Sequence, residues 1–190
     1  MDRALIISSS AESTAAIAQL LKAEGCSKIA AASGGNEARR AISGDTEPEL
    51  VVINAPLSDE FGQELAVMIA EETSAGIILI CRSDIADEVA DKVSENGICV
   101  VSKPLNKKIL MRSIKLVTAT RSRMMGLKKE NAELLTKIDE MRLINRAKST
   151  LMKYLNFTEP QAHKYIEKQA MNTRQTRREV AMRILATYER

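Results

Sequence analysis

The sequence predicts an open α/β fold with a five-stranded parallel sheet over residues 1–118, then a long helix, then a small all-α bundle of three helices. Two patterns carry the prediction. Five short β-branched runs recur between residues 1 and 106 with helical stretches between them, and turn punctuation stops after Pro104 until Asn156, apart from Gly126. The strand runs are 4–7, 28–32, 50–53, 77–80 and 98–101, and the last three are apolar enough to be buried on both faces. Amphipathic stretches at 13–24, 36–43, 62–73 and 85–95 separate them. Alternation of this kind places helices over both faces of a parallel sheet, with ligand chemistry at the carboxyl ends of the strands.

Composition narrows the class. Hydrophobic residues make up 45% of the 190, aromatics only 3%, and Trp is absent, so the core rests on aliphatic side chains and Met. No apolar run approaches the ~20 residues of a membrane span, and the opening apolar run is too short for a signal peptide. Cys26, Cys81 and Cys99 lack metal-ligand spacing and are odd in number, which fits reduced thiols in a cytoplasm. The net charge of +3 conceals an asymmetry. Residues 1–106 carry 8 Lys/Arg and 17 Asp/Glu, whereas residues 107–190 carry 20 and 8. Either the second half meets a polyanion, or these charges are a solvated surface.

The strand ends are informative in order. Ser8, Ser9 and Ser10 follow the first strand, Asn54 ends the third, Cys81 ends the fourth, and Ser102-Lys103-Pro104 follow the fifth. This order and spacing resembles the receiver domain of two-component response regulators. That resemblance implies a flavodoxin-like sheet of order 2-1-3-4-5, with an acidic pair after strand one, a phosphorylatable Asp after strand three and a hydroxyl after strand four. Here Ser8 and Ser9 replace the acidic pair, Asn54 the phosphoacceptor and Cys81 the hydroxyl; only Lys103-Pro104 is retained. Without carboxylates a hard divalent cation has no ligand set, and an amide is a poor nucleophile toward phosphorus. The expectation is a pseudo-receiver with no catalytic residue, metal or cofactor, in which Lys103 bonds to Asn54 or a serine. A regulatory protein or ligand would then act on it in place of phosphorylation. Asp59 and Glu60 lie in the following loop as minor candidates to substitute for the missing acids.

Beyond Pro104, Leu110, Ile114 and Val117 fit a last receiver helix. A heptad seam follows, with Val117, Met124, Asn131, Ile138 and Asn145 at a and Thr120, Leu127, Leu134 and Met141 at d. It reads either as a two-stranded coiled coil over 119–145, giving a homodimer, or as a helix folded onto its own receiver. Like-charged Arg123–Lys128 and Lys137–Arg142 pairs and Gly126 weigh against a parallel dimer.

Residues 146–190 read as three helical segments. Ala147, Leu151, Met152 and Leu155 end the long helix, and Asn156-Phe157 break it. Thr158-Glu159-Pro160-Gln161 forms a capping box for a helix whose face carries Ala162, Tyr165, Ile166 and Ala170. Asn172-Thr173 offers the next N-cap, before Val180, Ala181, Ile184, Leu185 and Tyr188. Ala147 with Leu151-Met152, Thr158-Glu159 with Ala162 and Tyr165, Ala170-Met171 and Arg177-Arg178-Glu179-Val180-Ala181 together resemble the ANTAR domain, named for the AmiR and NasR antitermination regulators. The resemblance implies binding to stem-loops of nascent transcripts, which favours an antiterminator over a terminator hairpin.

The residues independently point to a polyanion. Residues 143–190 hold ten Lys/Arg and four Glu. Lys148, Lys153, Lys168, Arg174, Arg177 and Arg178 are the candidate RNA contacts, with Arg174 and Arg178 expected on one helix face. Each is alternatively a solvated charge; Tyr165 is either a base-stacking or a core residue, and His163 receives no role. The leading reading is a dimeric antiterminator that binds tandem hairpins. A DNA-binding regulator using Gln175, Arg178 and Met182, and a protein-interaction scaffold, are the alternatives.

Overall fold

The computed structural model describes residues 1–44 and 47–188. Strands β1 (Arg3–Ser8), β2 (Lys28–Ala32), β3 (Leu50–Asn54), β4 (Gly76–Arg82) and β5 (Cys99–Lys103) form one parallel sheet of order β2-β1-β3-β4-β5. This is the receiver-like, flavodoxin-like arrangement. Helices α1 (Ala11–Ala23), α2 (Gly35–Ile42), α3 (Gln63–Glu72) and α4 (Ser83–Val93) make the crossovers, and α5 (Lys107–Leu155) leaves the last strand.

Side-chain alternation along the strands builds two cores, one on each face of the sheet. Leu5, Ile7, Val51, Ile53, Ile77 and Leu79 face a core closed by Ala38 and Ile42 of α2, Leu65 and Ile69 of α3, and Val89 of α4. Ala4, Ile6, Leu50, Val52, Ile78 and Ile80 face the opposite core, closed by Ile17 and Leu21 of α1 and by Leu110, Ile114 and Val117 of α5. The two central strands β3 and β4 are buried on both faces, as the sequence indicates, but β5 is not. It pairs only with β4, and Val101 alone is fully buried. An edge strand needs apolar residues on only part of its surface.

The chain divides into two compact units, Met1–Gly126 and Leu127–Arg190. The first unit keeps its hold on α5 beyond residue 118. Arg121 Nε donates to the Ser74 carbonyl at 2.9 Å, and Arg121 Nη1 lies 3.9 Å from a Glu49 carboxylate oxygen. Val117 is 8% exposed and packs where Gly76 has no side chain, since a Cβ on Gly76 would collide with its Cγ1. The second unit packs the end of α5 with α6 (Glu159–Thr173) and α7 (Arg177–Tyr188) around Ala147, Leu151, Ala162, Ile166, Ala170, Val180, Ala181, Ile184 and Leu185. α5 stops after Leu155, where Asn156 adopts a φ of 55°. α6 begins as expected, with the Thr158 N–H donating to Gln161 Oε1 at 2.8 Å.

The start of α7 differs from expectation. Asn172 and Thr173 remain in α6, and the cap is Thr176. Its N–H donates to Glu179 Oε2 at 2.7 Å, while the Glu179 N–H donates to Thr176 Oγ1 at 3.2 Å. Thr176-Arg177-Arg178-Glu179 is a complete capping box, and this reciprocal pair outcompetes the uncharged Asn172-Thr173.

The burial of α5 within the first unit is testable at two neighbouring positions. Ile114→Ala removes a fully buried side chain and should cost about 2–5 kcal/mol. Leu116→Ala, at a position 65% exposed, should change stability by no more than about 0.5 kcal/mol. Urea unfolding of both variants measures the contrast.

Candidate functional site

The strand order reverses between β1 and β3, so the crevice at their carboxyl ends is the expected seat of chemistry. The parallel register places Ser8 opposite Asn54 there. Both are buried, and Asn54 Nδ2 donates to Ser8 Oγ at 3.0 Å. Ser8 Oγ donates to the Ser10 carbonyl at 3.3 Å and accepts the Ser10 N–H at 3.2 Å. Ser9 is exposed and donates to the Pro56 carbonyl at 3.2 Å.

Cys81 is fully buried at the end of β4. Burial pushes its thiol pKa up, only partly opposed by the Lys103 ammonium. Lys103 does not bond to Asn54 or to a serine. Its ammonium donates to the Ala55 carbonyl at 2.6 Å, because that backbone group reaches the ammonium while the Asn54 amide is directed to Ser8. Among the described residues no group of three or more His, Cys, Asp or Glu is placed to hold a metal ion.

Asp59 and Glu60 are occupied elsewhere. The Asp59 carboxylate accepts the N–H groups of Gly35 at 2.7 Å and Asn36 at 3.0 Å, so it neutralises the first turn of α2. Glu60 makes a two-pronged pair with Arg39 at 2.6 and 3.0 Å, and Ser58 Oγ donates to the Ser33 carbonyl at 3.1 Å. Two glycines permit this approach: a Cβ on Gly34 would stand 2.5 Å from Ser58 Oγ and 2.6 Å from Asp59 Oδ1, and one on Gly35 would collide with the Glu60 carboxylate. The loop after β3 is thereby tied to α2. Sequence reasoning missed this tie, although Gly34-Gly35 before a helix was the available signal.

The heptad residues divide. Met124, Leu127, Asn131, Leu134, Ile138 and Met141 are exposed, as is every residue from 122 to 139 on all faces of the helix. Val117 belongs instead to the core of the first unit. A side chain committed to the sheet cannot also be a seam residue.

The basic candidates also divide. Lys148 is largely buried and pairs with Glu159 at 2.9 Å, joining α5 to α6. Arg177 lies 3.8 Å from Glu167, which is also 3.3 Å from His163 Nε2. Lys148, His163 and Arg177 line one cavity of about 530 Å³ with Lys137, Met141 and Ile144. Lys153, Lys168, Arg174 and Arg178 are exposed. Arg174 and Arg178 do not share a helix face. Arg174 caps the end of α6 with a φ of 53°, and α7 begins only at Arg177. The turn between them resets the helical phase, so four-residue spacing no longer means one face. Tyr165 is 36% exposed and sits edge-on to Phe157 with ring centroids 5.7 Å apart.

Residues 132–185 match the ANTAR domain family. The chain is also 28% identical over 171 residues to the transcriptional regulatory protein PdtaR of Mycobacterium tuberculosis, covering 90% of this chain and 83% of that protein. Among solved structures it is similar to the signal receiver domain of an HD domain-containing protein from Pseudomonas fluorescens Pf-5. The TM-score is 0.58 at 20% identity, covering 66% of this chain and 94% of the other. A response regulator receiver domain from Clostridium thermocellum matches with a TM-score of 0.58 at 17% identity, covering 65% and 99%. Together these likenesses support an ANTAR response regulator with a receiver domain. Its receiver fold occupies the first unit, and the ANTAR match lies within the second. No described helix is long and apolar enough to cross a membrane.

Backbone hydrogen bonds from Asn36 and Gly35 hold the Asp59 carboxyl below the usual aspartate range. With the folded-state pKa depressed, its stabilisation is full above the unfolded value and is lost as pH falls through the folded one. Asp59→Ala should therefore be less stable than wild type at neutral pH, with the gap narrowing below about pH 4. Urea midpoints at a series of pH values measure it, and a pH-independent gap would show that charge on Asp59 is not the cause.

Proposed function

We propose that this regulator binds stem-loops of nascent RNA as a transcription antiterminator, and that its receiver half accepts no phosphate. The observation that carries the reading is the ANTAR match at 132–185, falling on a segment whose exposed lysines and arginines exceed its acids. Lys153, Lys168, Arg174 and Arg178 are the contacts we assign to RNA; Lys148 and Arg177, already ion-paired, instead hold the helices together. The neutral Ser8–Asn54 pair supports loss of phosphorylation, since phosphoryl transfer depends on carboxylates for both the nucleophile and the metal. A partner protein or ligand at the receiver half then supplies control. A cytoplasmic location belongs to this reading, and the three unpaired cysteines support it.

The exposed apolar residues of 124–141 support a homodimer through a coiled coil, which would present two bundles to tandem hairpins and raise avidity through effective concentration. Light scattering should report a dimer at tens of micromolar, and Leu134→Lys, which places a charge in the seam, should report a monomer. A wild-type monomer would refute the coiled coil.

The RNA reading is tested by titrating the full-length protein against a two-hairpin RNA and a DNA duplex of equal charge. Tighter RNA binding is expected, with log affinity falling against log salt by roughly 0.7 per single-strand phosphate contact. Arg174→Ala with Arg178→Ala should weaken binding and flatten that slope while leaving thermal stability nearly unchanged. Preference for the duplex would indicate a DNA-binding regulator, and binding to neither a scaffold. For the receiver half, intact-mass measurement after incubation with acetyl phosphate and Mg²⁺ should show no adduct. A stoichiometric phosphoryl adduct would overturn that part of the reading.

A further inference from the structure

We propose that Tyr154 is a base-stacking platform, on which one unpaired nucleobase of the bound RNA loop rests. The inference relies on the RNA-binding reading above and names a contact within it. The chain has five aromatic residues, and Tyr154, Phe157, Tyr165 and Tyr188 all lie in the ANTAR bundle, leaving only Phe61 outside. Tyr154, near the end of α5, stacks on Tyr188, near the end of α7, with ring centroids 5.4 Å apart and planes 27° from parallel. Tyr188 is packed against the bundle core. Tyr154 is not part of that core, and it remains 49% exposed.

An aromatic side chain contributes to folding in proportion to the area it buries, so Tyr154, 49% exposed, leaves about half of that contribution unused. The arrangement does give rigidity. Tyrosine has only two side-chain torsions, and the anchored Tyr188 ring holds Tyr154 in one orientation before any ligand arrives, so little entropy is lost on binding. The Lys153 ammonium lies 5.1 Å from the Tyr154 ring centroid. A base entering over that ring displaces the ammonium, and the phosphate that arrives with the base gives it a stronger partner. An exposed cation–π contact is weaker than a base–aromatic stack, so the exchange favours the bound state.

The geometry selects an unpaired base. In a duplex each base face is covered by its neighbours, whereas bases in loops can be splayed onto aromatic rings. Tyr165 is the less suitable ring, being less exposed and fixed edge-to-face against Phe157. Tyr154 therefore reads the presence of an unstacked base, while the exposed cations contact phosphate.

The test uses the full-length protein and a two-hairpin RNA selected for binding from a pool with randomised loops, together with derivatives carrying one abasic site at each loop position in turn. At one position the abasic site should weaken wild-type binding by roughly 5- to 100-fold. Tyr154→Ala should weaken binding of the intact RNA by a similar factor and be indifferent to that abasic site, because the two changes remove the same contact. Tyr154→Phe should bind within about twofold of wild type, since it keeps the ring. The salt slope should be the same for all three proteins, as no phosphate contact is removed. The chain contains no Trp, so Tyr154→Trp provides a unique fluorophore, and its emission should be quenched on RNA binding even if the alanine variant folds poorly. Losses that multiply at every loop position, or unquenched Trp emission in a saturated complex, would overturn the stacking role while leaving RNA binding intact. Failure of the wild-type protein to bind any RNA of the pool would overturn both proposals together.

Discussion

At the carboxyl edge of the sheet, the register of β1 and β3 brings Ser8 and Asn54 side by side, and the Asn54 amide donates to the Ser8 hydroxyl at 3.0 Å. Both groups are neutral and buried, and each has a hydrogen-bond partner within the protein. Carboxylates at these positions would repel one another and would call for a cation to hold them. The neutral pair makes no such demand, so the crevice is electrostatically closed without a ligand. Lys103 follows from this: with no anion to meet, its ammonium turns to the Ala55 carbonyl.

The acids of the first half consequently serve other purposes. Asp59 occupies the first turn of α2 and Glu60 grips Arg39, so the loop leaving β3 is fastened to a neighbouring helix by charge-assisted bonds. The loop that follows β3 is thus held by protein groups at Ser58, Asp59 and Glu60. Control by a partner or ligand, in the function proposed here, has to work on a crevice whose polar groups already satisfy one another.

The sequence revealed most where side-chain periodicity decides structure. Continuous aliphatic runs in β1, β3 and β4 located the sheet, and the resemblance of the strand ends to a receiver domain implied the strand order. Thr158–Gln161 located the start of α6. It revealed least where two elements compete for one residue. Val117 fits both the receiver helix and the heptad pattern, and only the space left by Gly76 decides for the sheet. Arg174 and Arg178 look like one face until the turn between α6 and α7 interrupts the helix. Long-range pairs such as Asp59 with α2 and Tyr154 with Tyr188 have no local sequence pattern, because sequence spacing says nothing about which loop or helix end arrives opposite.

The bundle core explains why its aromatic residues lie outside it. Four of its nine buried hydrophobic residues are alanines, Ala147, Ala162, Ala170 and Ala181. Alanine lets helix backbones approach closely, and a closely packed three-helix core has no room for a ring at its centre. Phe157 and Tyr188 therefore pack at its margin, and Tyr154 stacks beyond Tyr188. A small core also yields limited stabilisation, since buried apolar area sets its size. Ligand binding that is confined to the folded form adds to that stability by mass action. The same small side chains that keep the helices close thus leave planar surfaces at the edge of the bundle, where, in the function proposed here, an RNA loop adds the contacts that the core does not supply.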